Sequence, residues 1–291
     1  MVTVRAPATC ANLGAGFDSF GVAIGEPADS VVVERADEIH IDVSGVGANE
    51  IPTDPAENVV GAVAETMGVG ASIAIEKGVP PGAGLGSSAA SAAGAALGLS
   101  ELYDMDLSRV EMVEIAARGE AVAAGTPHRD NVAAALFGGF TIAADADVVH
   151  VETDIPLVVC VPDLSISTET AREVIPRAID TEAHVQAIAD AATLAVGMER
   201  SDPTTVGAGL RDGPCSRART GLIPGYETVR SAALHGGATG IAVSGAGPTV
   251  VATCAVDARP AVAEAMIDAF ASKGRSAEAI QTRSGAGATV V

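Results

Sequence analysis

Residues 80–91 combine alternating glycines with a pair of serines, a composition suited to a loop that holds a phosphate group. The residues concerned are Gly82, Gly84, Gly86, Ser87 and Ser88. Because glycine accepts positive φ and exposes its N–H, such a backbone can approach an anion closely. A helix that begins at the serines would add unsatisfied N–H groups and the positive end of its dipole. The segment predicts a phosphate-binding loop, although a glycine-rich turn capped by serine also begins many ordinary helices.

The loop differs from two common nucleotide-binding patterns. It lacks the Lys of G-x-x-x-x-G-K-[ST], and its glycine spacing does not fit G-x-G-x-x-G. A β-type run, Ala71–Lys77, precedes the loop, and a run of small residues up to Leu99 follows it. The predicted order is therefore strand, loop and helix, which directs a helix N-terminus at the bound phosphate.

Glu120 is a candidate metal ligand because it lies inside an otherwise apolar, Ala-rich helical segment. Burying a carboxylate is costly unless it is paired or coordinates a metal ion. Together with Ser88 it would provide hard oxygen ligands for Mg²⁺ and leave positions for water and phosphate oxygens. The alternative is a solvated Glu120 on the outer face of the helix.

His128-Arg129-Asp130 has the letters of the protein-kinase H-R-D loop but not its context. In that loop the Asn comes five residues after the Asp, whereas Asn131 follows at once, and neither V-A-I-K nor D-F-G is present. The pattern is therefore no evidence for a protein kinase. Asn131 could still hydrogen-bond a substrate hydroxyl or a transferring phosphoryl group, and His128 is equally well explained as a structural histidine.

Two arginines in the second half of the chain, Arg172 and Arg219, are candidates for binding an anionic substrate. The guanidinium fork can bind both oxygens of a carboxylate. Either arginine alone is equally well explained by a surface ion pair. The loop containing Asn12 and Asp18 and the glycine-rich segment 244–248 complete the set, since loops rich in small residues often line sites.

These candidates lie on loops and helix ends of a mixed pattern of strands and helices. Val2 to Ala6 is predicted to be a strand that Pro7 ends, so that residues 8–21 form a loop. A helix is predicted over about 56–67, with Gly68 ending it.

The second half of the chain has the order β-α-α-β-β-α-β, which suits an α+β sandwich with helices on one face. The fold class predicted for the whole chain is α+β. A boundary near residue 153 divides it into predicted domains of residues 1–153 and 154–291.

The chain of 291 residues is strongly acidic, with a net charge of −20 and only two lysines, Lys77 and Lys273, among 17 basic residues. Such acidity argues against a nucleic-acid partner, whose phosphates need a basic face. Because the acids are spread along the whole chain, the composition favours a surface adapted to high salt, as in a halophile, over an acidic tail.

The apolar content of 48% allows a sizeable core, but no run approaches the ~20 residues of a membrane span. The first residues, Met-Val-Thr-Val-Arg, do not form a signal-peptide core. We therefore expect a cytoplasmic protein without a membrane partner.

Several motifs together resemble those of the GHMP small-molecule kinases. Residues 81–90 read P-G-A-G-L-G-S-S-A-A, like the phosphate loop of that family, and residues 244–249 read S-G-A-G-P-T, like its third motif. The segment A-P-A-T-C-A-N-L-G-A-G-F-D-S-F-G at 6–21 is similar to the homoserine kinase branch. So are S-T-E-T-A-R at 167–172 and R-T-G-L-I-P-G-Y at 219–226. The resemblance extends over essentially the whole chain.

The resemblance implies a fold and a reaction. Residues 1–153 would form a nucleotide-binding domain like domain 2 of ribosomal protein S5, and residues 154–291 a ferredoxin-like domain. The reaction would convert ATP and L-homoserine to ADP and O-phospho-L-homoserine, in threonine biosynthesis. A GHMP kinase for another small alcohol, such as shikimate or mevalonate, and an inactive nucleotide-binding paralogue are the alternatives. Homodimers are common among such enzymes.

The resemblance also assigns site residues. The ATP phosphates would contact Pro81, Gly82, Ala83, Gly84, Leu85, Gly86, Ser87, Ser88, Ala89 and Ala90. The adenine would lie near Asn58 and Val59, and Mg²⁺ would bind Ser88 and Glu120. Homoserine would be surrounded by Asn12, Asp18, His128, Asn131, Arg172 and Arg219. The catalytic set would be Asn131, Glu120 and Ser88.

Two departures from the family pattern matter. Arg217 rivals Arg219, because the surrounding sequence G-P-C-S-R-A-R-T differs from the usual H-E-P-Y-R. Asn131 occupies the position at which mevalonate and galactose kinases have a catalytic Asp. Because an amide cannot act as a general base, the resemblance implies catalysis by positioning and electrostatics.

Overall fold

The computed structural model describes residues 1–125, 127–144 and 147–291, with only the backbone described for 122–124. The strands are β1 (Val2–Ala11), β2 (Phe20–Arg35), β3 (His40–Gly45), β4 (Ala71–Lys77), β5 (Phe140–Ala143), β6 (Val148–Val151), β7 (Pro156–Pro162), β8 (Ala238–Val243), β9 (Val250–Cys254), β10 (Ala277–Arg283) and β11 (Thr289–Val290). The helices are α1 (Val59–Met67), α2 (Ser87–Leu102), α3 (Arg109–Ala124), α4 (Arg129–Phe137), α5 (Thr168–Glu173), α6 (Thr181–Glu199), α7 (Pro203–Gly209), α8 (Pro214–Thr220), α9 (Tyr226–His235) and α10 (Arg259–Ala271).

The first sheet has the strand order β11-β1-β2-β4-β3, and β5 pairs with both β2 and β6. Its pairs are antiparallel except for β3 with β4. Helix α2 packs against β1 and β2 at short range, because most of its buried residues are alanine or glycine. A Cβ at Gly94 would lie 2.7 Å from Cγ2 of Val31. The small residues after the phosphate loop are therefore core residues that let the helix approach the sheet.

Strand β1 is longer than the sequence predicts. It continues beyond Pro7 to Ala11, so the prediction that Pro7 ends the strand is wrong. The partner on β2 changes from Ala28, opposite Pro7, to Ala23, opposite Thr9. The register changes directly after Pro7, so the proline, which has no N–H to donate, lies at an irregularity of the ladder, where proline is tolerated.

The second sheet has the antiparallel order β10-β7-β9-β8. Alternate residues of β7 enter two different clusters: Leu157 and Val159 join the core of the first sheet, while Val158 and Cys160 face a second core built on α9 and α10. The first of these cores also contains Leu194 and Val206 from α6 and α7. Helices therefore cover both faces of this sheet, which corrects the expectation of helices on one face.

The helix predicted over 56–67 begins at Val59, and Gly68 ends it with φ 69°, as predicted.

At the end of the chain, β11 returns to the first sheet and pairs with β1. The predicted division near residue 153 places β11 in the second domain, although β11 pairs with β1 of the first sheet. That division stays a prediction.

Among the described residues, no helix is both long enough and apolar enough to cross a membrane.

Candidate functional site

A cavity of about 480 Å³ brings together most of the residues selected from the sequence. The predicted residues that line it are Asn12, Asp18, Asn58, Val59, Pro81, Gly82, Gly84, Gly86, Ser87, Ser88, Glu120, His128, Asn131, Arg172 and Arg219. The side chains of four other predicted phosphate-loop residues are instead buried in the core, namely Ala83, Leu85, Ala89 and Ala90. Their contribution to a bound phosphate would come from the backbone alone.

The phosphate loop has the backbone that its glycines predict. Gly82, Gly84 and Gly86 have φ values of 66°, 81° and 63°. Two other segments hold it in place: the Ser244 hydroxyl donates to the Gly84 carbonyl at 2.7 Å, and the Thr9 N–H donates to the Leu85 carbonyl at 3.0 Å. The glycine-rich segment at 244–248 therefore supports the phosphate loop from the second half of the chain.

The N-terminus of α2 carries no side-chain cap, so the alternative of an ordinary helix start capped by serine does not hold. Gly86 is the N-cap residue, and the Ser87 hydroxyl donates instead to the Val79 carbonyl at 2.7 Å. The first N–H groups of α2 thus have no capping side chain, while Ser87 and Ser88 both line the cavity. Open N–H groups at the positive end of a helix dipole form a site for an anion.

A buried ion pair beneath the loop was missed by sequence reasoning. Lys77 is 3% exposed and pairs with Asp29, which is 1% exposed. The ammonium group also donates to the Ser87 carbonyl at 2.7 Å and to the Ser91 hydroxyl at 2.9 Å. The second carboxylate oxygen of Asp29 accepts from the N–H groups of Gly78 and Val79, both at 3.0 Å.

This ion pair joins β2, β4 and the first turn of α2 directly beside the cavity. Burial lowers the pKa of Lys77, and the charge of Asp29 opposes that shift. A signal was available in the sequence, since a lysine is unusual in a chain that otherwise uses arginine almost throughout.

Glu120 is 2% exposed, so the alternative of a solvated glutamate does not hold. Its Oε2 lies 3.4 Å from Nδ1 of His128, and its Oε1 has no hydrogen-bond partner among the described residues. Burial lowers the pKa of His128, but the hydrogen bond and charge of Glu120 outweigh this and raise it above its ordinary value. A buried carboxylate oxygen without a donor is able to accept a cation as its partner.

The cavity lining also carries opposed charges. Arg172 donates to both carboxylate oxygens of Asp18, at 3.0 and 3.1 Å. The loop that presents Asp18 is held by Asn12, whose side-chain oxygen accepts from the Asp18 N–H at 2.8 Å. Both loop residues have positive φ, 58° for Asn12 and 53° for Asp18, a strained conformation typical of functional loops.

Arg219 is 3% exposed and lies over the ring of Phe17 at 4.5 Å. It donates to the Gly245 carbonyl at 2.7 Å, while its Nε and that of Arg172 have no partner among the described residues. Burial lowers the pKa of Arg219; Asp18 opposes this and Arg172 adds to it, so the two guanidinium groups repel each other. The negative charge of Asp18 thus acts on both arginines, and a second anion would neutralise the remaining positive charge.

Geometry separates the two rival arginines. Arg217 is exposed and donates to the Asp212 carbonyl at 3.3 Å, outside the cavity lining. Arg219, two residues later on α8, faces the cavity. Asn58 also lines the cavity, and it caps α1 by accepting from the Val60 N–H at 3.0 Å.

Comparison with known proteins gives matches over most of the chain. Residues 55–139 match the family described as "GHMP kinases N terminal domain", and residues 194–276 match "GHMP kinases C terminal". The homoserine kinase of Haloarcula marismortui is 55% identical over 290 residues and that of Haloquadratum walsbyi 57%, with 100% of both chains covered in each case.

Solved structures agree with these matches. The homoserine kinase of Cytophaga hutchinsonii superposes with a TM-score of 0.90 at 30% identity, covering 100% of this chain and 97% of that one. A mevalonate kinase of L. major, in complex with R-mevalonate, has a TM-score of 0.76 at 17% identity, covering 97% and 95% of the two chains. The second likeness shows a shared fold alone.

The ion pair beneath the phosphate loop is expected to be essential for stability. Lys77→Met leaves the Asp29 charge buried without its partner, so we expect the free energy of unfolding to fall by about 3–5 kcal/mol. Urea unfolding followed by circular dichroism measures this change. The matched control is Lys273→Met, which removes the other, exposed lysine and should have an effect close to zero. Equal losses in the two variants would contradict the role of the buried pair.

Proposed function

The chain belongs to the homoserine kinases of the GHMP kinase family, and we propose that it transfers the γ-phosphoryl group of ATP to the side-chain hydroxyl of L-homoserine. The products are O-phospho-L-homoserine and ADP, in threonine biosynthesis. The observation that carries this proposal is that one cavity contains both the phosphate loop and, at another position, Asp18 with two arginines. Those charges match the ammonium and carboxylate groups of an amino acid.

ATP binding is proposed for the loop at 81–90 and the uncapped N-terminus of α2, whose N–H groups would face the phosphates. The adenine is proposed to lie near Asn58 and Val59, which line the same cavity. In this arrangement the Asp29–Lys77 pair keeps the first turn of α2 in place and brings a positive charge close to the phosphates.

Mg²⁺ is proposed to bind Ser88 and Glu120, and the free buried oxygen of Glu120 supports this fit. Among the described residues no cluster of three or more His, Cys, Asp or Glu could hold a metal ion. The remaining ligands would therefore be phosphate oxygens and water, as is usual for Mg²⁺. When bound, the ion would neutralise charge on the phosphates.

Homoserine is proposed to bind with its ammonium group at Asp18 and its carboxylate at Arg172 and Arg219. Asn12, His128 and Asn131 complete its surroundings and place the hydroxyl towards the phosphate loop. Because Asn131 cannot accept a proton as a base, the protein contributes orientation and donors for the phosphoryl oxygens. A loose transition state makes these contributions sufficient, and the hydroxyl proton passes to the γ-phosphate.

The ion pair between Asp18 and Arg172 gives this site its selectivity for a zwitterion. Both groups already satisfy each other, with side chains 39% and 32% exposed. A ligand that carries both charges replaces one ion pair by two, whereas a ligand with a carboxylate alone leaves Asp18 without a partner. The exchange favours amino acids over hydroxy acids such as shikimate or mevalonate.

The setting of the enzyme is also proposed. We place it in the cytoplasm of an organism adapted to high salt, because the charge is −20 and relatives from halophilic archaea are similar over the whole chain. A homodimer is the proposed assembly. On grounds of charge and hydropathy we expect neither nucleic acid nor a membrane among its partners.

The activity is tested by ADP release with L-homoserine, shikimate and mevalonate as acceptors, each in molar KCl and in low salt. We expect turnover with L-homoserine alone, and faster turnover in molar KCl because the salt screens the acidic surface. Phosphorus NMR of the product identifies the phosphate ester. Turnover with shikimate or mevalonate but not homoserine would favour another GHMP kinase, and no turnover with ATP still binding would favour an inactive paralogue.

Glu120→Gln keeps the size of the side chain and removes its charge. We expect kcat to fall at least 100-fold, about 3 kcal/mol of transition-state stabilisation. Calorimetry should show that Mg²⁺ no longer tightens ATP binding. Glu65→Gln, on an exposed face of α1, is the control and should leave both quantities unchanged. If Glu120→Gln binds Mg²⁺-ATP as the wild type does, the metal assignment is wrong.

Asp18→Asn should change the two classes of ligand in opposite directions. Homoserine loses the partner of its ammonium group, so its KM should rise about tenfold, a partly exposed charge pair being worth 1–2 kcal/mol. Arg172 is then free of its internal partner, and 4-hydroxybutanoate, which has no ammonium group, should bind more tightly than to the wild type. Calorimetry compares the two ligands. Arg172→Gln is the control and should weaken both; equal weakening of both by Asp18→Asn would contradict the exchange.

A further inference from the structure

The side chain of Asn131 is held on both sides by Thr9 and Asp130, neither of which the sequence selected as a site residue. Its Oδ1 accepts from the Thr9 hydroxyl at 2.8 Å. Its Nδ2 donates to Oδ1 of Asp130 at 3.3 Å, and its backbone N–H donates to the same oxygen at 2.9 Å. All three residues are buried, and Asn131 is the member of the set that lines the cavity.

These contacts allow one orientation of the amide. Burial raises the pKa of Asp130 to about 6, so its carboxyl group is still ionised at neutral pH and can only accept hydrogen bonds. The amide nitrogen must therefore lie on the side of Asp130, and the amide oxygen on the side of Thr9. The second N–H of the Asn131 amide has no partner among the described residues and is the donor available to a ligand in the cavity.

Thr9 also contacts the phosphate loop itself. A Cβ at Gly86 would lie 2.0 Å from the Thr9 hydroxyl oxygen and 2.8 Å from Oδ1 of Asn131. The backbone N–H of Thr9 donates to Leu85, one residue earlier in the loop. Thr9 is fully buried and lies on β1, which continues past the irregularity after Pro7. The Thr9 side chain thus joins the phosphate loop to the Asn131 amide.

We propose that Thr9 is a positioning residue that fixes the Asn131 amide relative to the phosphate loop, with Asp130 setting the direction of its free N–H. The inference rests on the proposed kinase function and deepens it, because it assigns how the acceptor side is aligned with the phosphoryl donor. A displaced amide donor would still permit both substrates to bind. It would stabilise the charge that develops on the transferring group less well.

The test begins with Thr9→Val, which keeps the shape of the side chain and removes the hydroxyl. We expect kcat to fall about tenfold while KM for ATP and for homoserine changes less than threefold. Thr9→Ser, which keeps the hydroxyl, should restore most of kcat. The matched control is Thr253→Val in β9, which removes an equally buried hydroxyl that donates to Pro156 at 3.3 Å. It should leave kcat unchanged.

A double-mutant cycle separates positioning from packing. In an Asn131→Ala background Thr9→Val should lower kcat less than twofold, because the group on which Thr9 acts is gone. An equal loss of kcat in both backgrounds, or wild-type kcat in Thr9→Val, would overturn the inference. If Thr9→Val does not fold, Thr9→Ala replaces it in the same cycle. Absence of turnover in the wild type would instead overturn the proposed function.

Discussion

The buried ion pair between Asp29 and Lys77 is the interaction on which the rest of the site depends. It lies where β2, β4 and the first turn of α2 meet, and every hydrogen-bonding position of the ammonium group is used. Such a pair is costly to bury and is tolerated only when its hydrogen bonds are satisfied. Its geometry therefore favours one arrangement of the phosphate loop over many, and the uncapped N–H groups of α2 remain directed at the cavity.

Small residues make this arrangement possible. Because alanines and glycines cover the inner face of α2, the helix lies close enough to the sheet for Lys77 and Asp29 to reach Ser91. Glycines in the loop have a second function, since Gly84 and Gly86 leave room for the carbonyl of Ser244 and the hydroxyl of Thr9. The positions that give the loop its freedom of φ are thus also the positions at which other segments are packed against it.

Charge is more nearly balanced in the site than in the chain as a whole. The chain is strongly acidic, whereas the cavity is lined by three cationic residues, Arg172, Arg219 and Lys77, and four carboxylates, Asp18, Glu50, Glu57 and Glu120. Each of these cations has an internal acceptor, so the site does not depend on counterions from the solvent. This arrangement is consistent with a protein whose surface charges are screened by salt, whereas the buried Asp29–Lys77 pair is screened much less.

The sequence by itself determined the local features: the glycine backbone of the phosphate loop, the helix that follows it, the end of α1 at Gly68 and the acidic character of the chain. These depend on residue types and on contacts between near neighbours, which a sequence states directly. It also selected most of the residues that line the cavity, through motif resemblance. Only the tertiary structure decided how they are paired: Thr9 meets Asn131 from 122 residues away, Asp18 meets Arg172 from 154, and Asp29 meets Lys77 from 48. The course of β1 beyond Pro7 and the presence of Arg219 rather than Arg217 in the cavity lining belong to the same class. They depend on which surfaces are brought together by folding, and no local pattern carries that information.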